Sequence, residues 1–173
     1  MSRQIPEKLI NFSVYRDGKE WLGTASVDLP SIAAMTETIS GAGIAGEVDS
    51  PTLGHYGSMT CTLNWRTLAR PGVNLFQTKS HALTFRGAQQ MYDTSSGEYR
   101  SAGFTVAVKA IPKTGALGSL TPGTATNSTN EFELTYLKID IDGRNVLEID
   151  KFNFKCVIDG EDQLADVRQQ LGM

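Results

Sequence analysis

EFELTYLKIDIDGRNVLEIDKFNFKCVIDGEDQLADVRQQLGM, residues 131–173, starts in the period of a strand and closes in the period of a helix. Phe132, Leu134 and Tyr136 alternate with polar residues, and then the apolar phase moves to Leu137, Ile139 and Ile141. A one-residue slip of this kind, at Tyr136/Leu137, is what a β-bulge produces. Asp142-Gly143 follows and predicts a tight hairpin, because both central positions of a type I′ turn take φ > 0. A return strand runs through residues 146–149, and an extended piece covers 152–158. A short helix then ends the chain. Asp159 or Asp162 serves its N-terminus, Leu164, Val167 and Leu171 share one face, and Gly172 lies just past the last turn.

Strand period dominates upstream as well. LINFSVY, residues 9–15, alternates and leads into a second Asp-Gly turn at Asp17-Gly18, with Trp21-Leu22-Gly23 returning. Pro30, which has no amide to donate, places Val27-Asp28-Leu29-Pro30 at a strand start or edge, before a strand over residues 32–39. In MTCTLNW, residues 59–65, Met59, Cys61, Leu63 and Trp65 oppose Thr60, Thr62 and Asn64, the pattern of a sheet with one face in the core and one in water. Pro71-Gly72 with Val73, Leu75 and Phe76 suggests one helical turn. Strand character resumes over 81–91, with Leu83 and Phe85 inward and Thr84 and Arg86 outward. A polar turn over 93–101 precedes a strand through Phe104, Val106 and Val108. The Gly-, Thr- and Pro-rich stretch 112–130 reads as an exposed loop. Another long loop is expected over 40–58, SGAGIAGEVDSPTLGHYGS; its Ile44, Val48 and Leu53 favour docking, either on its own domain or on a neighbour. Roughly eight short strands and one C-terminal helix make a mainly β fold, an antiparallel β-sandwich or open barrel.

The chemistry of the chain is mostly a set of exclusions. A chain of 173 residues suits a single domain. A net charge of −3 argues against a basic groove for nucleic acid. No apolar run approaches the roughly 18 residues of a membrane span, and MSRQIPEKL has no apolar core of an export signal. Cys61 and Cys156 read as buried, reduced thiols, with a disulfide the alternative; neither has the spacing of a metal site. GAGIAG at residues 41–46 resembles a dinucleotide fingerprint, yet EVDSP follows it where a helix would have to start. His55 has Asp49, Ser50 and Ser58 nearby in sequence but no nucleophile elbow, and both His55 and His81 read as surface or interface residues. The pairs Asp140/Asp142, Glu148/Asp150 and Glu161/Asp162 flank a turn and a helix cap, so they read as solvent and partner contacts. No catalytic, cofactor-binding or metal-binding residue is predicted.

Two blocks carry a resemblance. LKIDIDGRNVLEID with IDGEDQLADVRQQLG resembles the C-terminal signature of the major tail tube protein of contractile phage tails and R-type phage-tail bacteriocins. LPSIAAMTETISGAGIAGEVDSP resembles that family's Leu-Pro, Thr-Glu strand, Gly-rich turn and long loop. The middle of the chain matches more loosely. The resemblance implies hexameric rings whose hairpins join into one β-barrel. It implies rings stacked into the hollow inner tube of a contractile tail, assembled in the host bacterial cytoplasm. The implied partners are further copies of the chain, the sheath protein, and the tape-measure and baseplate or terminator proteins; DNA passes without specific binding. Strands near 33–39, 59–65, 81–90 and 104–111 would form the wall, with Thr36, Thr38, Thr60, Thr62, Asn64 and Thr84 facing the bore. Gly41, Ile44, Glu47, Val48, Asp49 and Leu53 of the long loop would meet neighbouring subunits. Asp162, Asp166 and Arg168 of the final helix would face the sheath. A type VI secretion tube protein and a monomeric β-sandwich binding module are the rival readings; the second expects a cluster of exposed aromatics.

Overall fold

Period-two hydrophobicity becomes sheet along most of the chain in the computed structural model, which describes residues 3–173. Strand β9 (Ser128–Ile141) is the spine. On one side it pairs with β8 (Glu98–Ala116) along its whole length. Its other side is divided between two partners. Strand β6 (Thr60–Trp65) takes the first half, from Trp65↔Ser128 to Thr60↔Glu133. Strand β10 (Arg144–Asp150) takes the second, from Asp150↔Tyr136 to Arg144↔Ile141. The change of partner coincides with a bulge: the β8 ladder steps from Lys109↔Tyr136 to Ala110↔Leu134 and leaves Thr135 without a partner. The buried set accordingly switches from Phe132 and Leu134 to Leu137. The expected slip is present, but its extra residue is Thr135, so Tyr136 joins the outer face and its hydroxyl donates to Glu148, 3.2 Å away.

From β8 the ladder continues through β7 (His81–Asp93) and β1 (Gln4–Arg16) to β2 (Glu20–Leu22). Three residues later β3 (Ser26–Asp28) pairs back onto β6, and the Ala25 N–H donates to Asn64 O at 2.7 Å. The path β9-β8-β7-β1-β2, then β3-β6-β9, thus returns to its origin with only covalent chain between β2 and β3. That is an open barrel. Beyond β10 the sheet adds β11 (Lys155–Ile158) and β12 (Glu161–Asp162). Both Asp-Gly hairpins have left-handed φ at both residues, 50° and 71° at Asp17 and Gly18, 49° and 74° at Asp142 and Gly143.

The barrel interior is filled by Val14, Leu22, Cys61, Leu63, Leu83, Phe85, Val106, Val108, Phe132, Leu134, Leu137 and Ile149, drawn from every long strand of the wall. Each such side chain contributes about 1.5–3 kcal/mol on burial. Burial also pushes the Cys61 thiol up to about 12, and both cysteines are free. Helix α1 (Arg70–Asn74) is tied to the wall by Asn130, which accepts from Trp65 Nε1 at 2.8 Å and donates to Gly72 O at 3.2 Å. Helix α2 (Ala165–Leu171) ends at Gly172 with φ 71°, as its C-terminal glycine requires.

Three expected loops are shorter than their composition suggests. Residues 112–130 are strand as far as Ala116 and again from Ser128. The turn over 93–101 shrinks to 94–97. Residues 40–58 are largely a strand hairpin, described below. In each case ladder bonds to a neighbouring strand recruit residues such as Asp49, Glu98 and Gly115 that carry little strand preference of their own. His81 is not a surface residue: it is 2% exposed and donates from Nε2 to Gln77 O at 3.0 Å. Nor does Asp159 serve α2; with φ 49° it forms a turn with Gly160. Leu137 is fully buried in the core and lies between Val108 of β8 and Ile149 of β10, so Leu137→Ala should lower unfolding stability in denaturant titration by about 2–5 kcal/mol, with the strand content of the folded protein unchanged by circular dichroism.

Candidate functional site

The exposed features of the chain are backbone edges and an arm, not a cleft. The arm is a second, two-stranded sheet, β4 (Ala34–Ser40) with β5 (Glu47–Tyr56), paired only with itself among the described residues. Directly opposed residues share a face. Thr36, Thr38, Ser40, Glu47 and Asp49 therefore lie on one face, and Glu37, Ile39, Val48 and Ser50 on the other. The Thr38 hydroxyl donates to Asp49 Oδ1 at 2.6 Å. At the tip, Gly41, Gly43 and Gly46 have φ of 138°, 90° and 121°, values that L-residues reach only with strain. The GAGIAG pattern is thereby accounted for as a chain reversal. All of β4 is exposed, and so are Ile44, Val48 and Leu53. An isolated two-stranded hairpin is at best marginally stable in water, and beyond its root this one is exposed along β4.

Only the root of the arm is fixed. Lys151 Nζ donates to Gly57 O at 2.7 Å and lies 3.7 Å from Glu133 Oε1, while the Ser58 hydroxyl donates to Glu133 Oε2 at 2.6 Å. His55 donates from Nδ1 to Leu53 O at 2.8 Å and meets the Phe154 ring edge-on. Any Cβ on Gly54 would come within 2.6 Å of Leu164, the residue that leads into α2. Sequence reading missed Glu133 and Lys151 because their partners lie 75 and 94 positions away.

The second feature is open edge. On its outer side β1 pairs with β2 only over Val14 to Arg16, which leaves residues 4–13 without a partner there. Strand β8 pairs with β9 only from Phe104 onward, which leaves residues 98–102 open. Both stretches belong to a three-stranded extension, β1-β7-β8, that runs past the core; residues 4–11 and 98–101 are exposed. Pro6 and two register shifts blunt the β1 edge, whereas the β7–β8 ladder is regular up to the β8 edge.

The predicted bore residues do not share one ladder. Thr60, Thr62 and Asn64 lie on the outer face of β6 beside Glu133, Glu131 and Thr129, and Thr84 lies on β7 between Tyr15 and Ala107. Thr36 and Thr38 are on the arm. At the C-terminus, Asp162 and Arg168 come together: Asp162 Oδ2 accepts from Arg168 Nη2 at 2.5 Å, and Oδ1 accepts from the Leu164 N–H at 3.1 Å. Arg168 Nη1 also donates to Phe154 O at 2.7 Å. The guanidinium holds the Asp162 carboxyl below its usual range. Of the three expected sheath contacts, Asp166 alone is exposed and outside this clamp. Of the other carboxylates singled out in the sequence, Asp140 is ion-paired with Lys138 at 3.0 Å and Glu148 with Lys155 at 2.9 Å, while Asp150 accepts from Asn153 Nδ2 at 2.7 Å. Burial raises the Glu148 carboxyl, but Lys155, Tyr136 and Asn145 outweigh it and leave a net lowering. Trp65 is buried, and the exposed Trp21 and Tyr99 lie on different strands, β2 and β8, so no aromatic binding platform forms from them. No group of three or more metal-ligating side chains occurs among the described residues, and no helix there is long and apolar enough to cross a membrane.

Open sheet edges and a projecting arm are features of a structural β subunit. Residues 6–172 match the phage tail tube protein FII family. The chain belongs to that family, and its role is that of a structural tail tube protein of contractile tails or related injection systems. It is 28% identical to the tail tube protein of Escherichia phage P2, over 98% of this chain and 99% of that one. It is 26% identical to the major tail tube protein of Serratia phage KSP20, over 94% and 93%. The fold is similar to the sheath/tube terminator of the extracellular contractile injection system PVC (TM-score 0.56, 17% identity, 79% of this chain and 97% of that one). It is similar as well to a chain of the PVC sheath-tube complex (TM-score 0.51, 18% identity, 75% and 88%).

The Asp162–Arg168 clamp has a testable pH dependence. Since the folded Asp162 carboxyl is lowered, the clamp's contribution is complete above the ordinary aspartate range, about pH 4, and disappears as pH falls through the lowered value. Arg168→Met should reduce amide protection factors over residues 165–171 at neutral pH, with the barrel unaffected; in the parent protein the same loss should appear only on acidification.

Proposed function

We propose that copies of this chain join edge to edge into hexameric rings and that the rings stack into the hollow inner tube of a contractile tail. The whole chain, residues 1–173, acts as one tube domain in this assembly. The observation that carries the reading is the incomplete sheet. The β1-β7-β8 extension has no core of its own and offers an open edge at 98–102 on one side and at 4–13 on the other. Pairing such edges between identical copies round a circle satisfies the backbone groups and leaves no free edge in the ring.

Within the tube, the outer face of β6 with Thr60, Thr62 and Asn64 lines the bore, as does Thr84. Glu131 and Glu133, their neighbours on that surface, are each within ion-pair distance of a lysine, Lys113 and Lys151. A wall of hydroxyls and neutralised acids gives DNA nothing to grip, so the duct passes its cargo without binding it. Thr36 and Thr38 go with the arm instead, whose Gly41, Ile44, Glu47, Val48, Asp49 and Leu53 contact neighbouring subunits. Asp166 on α2 contacts the sheath. Tape-measure protein in the bore and baseplate or terminator proteins at the ends complete the set of partners. The protein contributes by shape and does no catalysis.

Electron microscopy of purified material tests the reading: rings or tubes support it, and isolated small particles at every concentration contradict it. Deleting residues 44–52 should leave the barrel folded, with unchanged denaturant unfolding, and abolish tube growth. Normal tubes from that deletion would remove the arm from the account.

A further inference from the structure

The chain is acidic overall, yet residues 50–92 hold Arg66, Arg70, Lys79 and Arg86 without one aspartate or glutamate. The fold gathers part of that surplus in one place. Beside α1 lies a hollow of about 480 Å³, walled by the β1–β2 turn, α1, the segment that follows it and the start of β7. Every side chain that lines it is polar, and Asp17 is its only acid. Its cations are Arg16, Arg70 and Lys79. Arg16 is balanced by Glu20, whereas Arg70 and Lys79 form no ion pair among the described residues. The hollow is roughly one Debye length across at physiological salt, so its charges are only partly screened from one another.

The hollow also has a buried donor. His81 lines it and is 2% exposed. Its Nε2 donates to Gln77 O at 3.0 Å, so the proton of a neutral ring sits on that nitrogen. The other ring nitrogen, Nδ1, has no hydrogen-bond partner among the described residues. Protonation turns such a nitrogen into a second donor, and a negatively charged neighbour favours that form. Two unpaired cations and a buried imidazole with a nitrogen to spare, drawn from three separate segments, converge on one polar space.

We infer that this hollow is a binding site for a small phosphate-type oxyanion. Arg70 offers a planar fork of donors that matches the spacing of the anion's oxygens, Lys79 adds a compact charge, and His81 donates from the buried side. Asp17 and the nearby Glu20 keep the positive surplus small. They repel the further phosphates of a nucleic acid, so the hollow suits one small anion and not a polyanion. Once bound, the anion ties together residues 16–17, 70–79 and 81 and braces α1 against the barrel. The site goes beyond the tube reading and does not rest on it.

Isothermal titration calorimetry of the full chain with sodium phosphate, against sodium chloride of equal ionic strength, tests the assignment. Phosphate should bind saturably at one site per chain, and chloride should not. Arg70→Gln with Lys79→Gln should weaken phosphate binding at least tenfold. Lys8→Gln with Arg144→Gln, which removes two exposed cations outside the hollow, should leave it unchanged. If the first pair of substitutions misfolds, the parent protein decides the matter. Phosphate should protect Arg70 from phenylglyoxal and Lys79 from acetylation, read by mass spectrometry, without protecting Lys8. Absence of saturable binding, equal affinity in the hollow variant, or unprotected Arg70 and Lys79 would overturn the proposal. So would a short DNA duplex that displaces phosphate from the hollow, because the surface would then be a nucleic-acid contact.

Discussion

Every backbone N–H and C=O in a sheet has to bond to something, and a strand that outruns its neighbours leaves half of its groups open. That constraint shapes this protein more than any side-chain cluster. Strands β7 and β8 extend as a regular ladder to Asp93↔Glu98, well past the point at which β9 leaves β8. Nothing in the extension is paid back by core burial, since both ends of it are exposed. The hairpin tip is held locally instead. Asp93 accepts from the Ser95 hydroxyl and N–H, which keep its carboxyl low, and Tyr92 stacks at a tilt on Tyr99. A stiff hairpin with a free edge is suited to join another sheet; its rigidity lowers the ordering cost of doing so.

The arm follows the same logic with different means. Its root is fixed by Lys151, Glu133 and Ser58, and Leu164 lies directly beneath Gly54, so its direction is set by β10, β11 and the start of α2. Among the described residues its strands pair only with each other, and all of β4 is exposed. The bulge at Thr135 links these features to the core. It divides β9 between β6 and β10, and β10 in turn leads to the Lys151 turn on which the arm rests. The barrel, the arm's root and the C-terminal clamp are thus parts of one divided sheet.

Much of this was legible in the sequence. The two Asp-Gly turns, the alternation of MTCTLNW and the terminal glycine of α2 are local signals, and each marks the element it should; the phase slip read at Tyr136/Leu137 marks a real bulge, whose extra residue is Thr135. What was illegible depends on pairing at a distance. Gly115 and Ala116 carry little strand preference, but their ladder to Asn130 and Thr129 makes them strand. Pro51 and Gly54 hid β5, which tolerates Pro51 because among the described residues it is an edge strand, paired with β4 on one side only. Asp162 and Arg168 read as surface charges because nothing in their spacing shows that Phe154 and Leu164 stand beside them. The tail-tube resemblance rests on two blocks, the Asp-Gly hairpin with its closing helix and the Leu-Pro, Thr-Glu and Gly-rich stretch, and the family match over residues 6–172 agrees with it.

The central claim is that the subunit's sheet is unfinished until copies complete it. Hydrogen–deuterium exchange of dissociated and assembled protein measures this directly at residues 4–13 and 98–102. The account requires that the amides facing the open edges exchange freely in the dissociated subunit and become strongly protected on assembly, while those bonded to β7 change little. Equal protection in the two states, or edge amides that still exchange freely in the assembled particle, would contradict it.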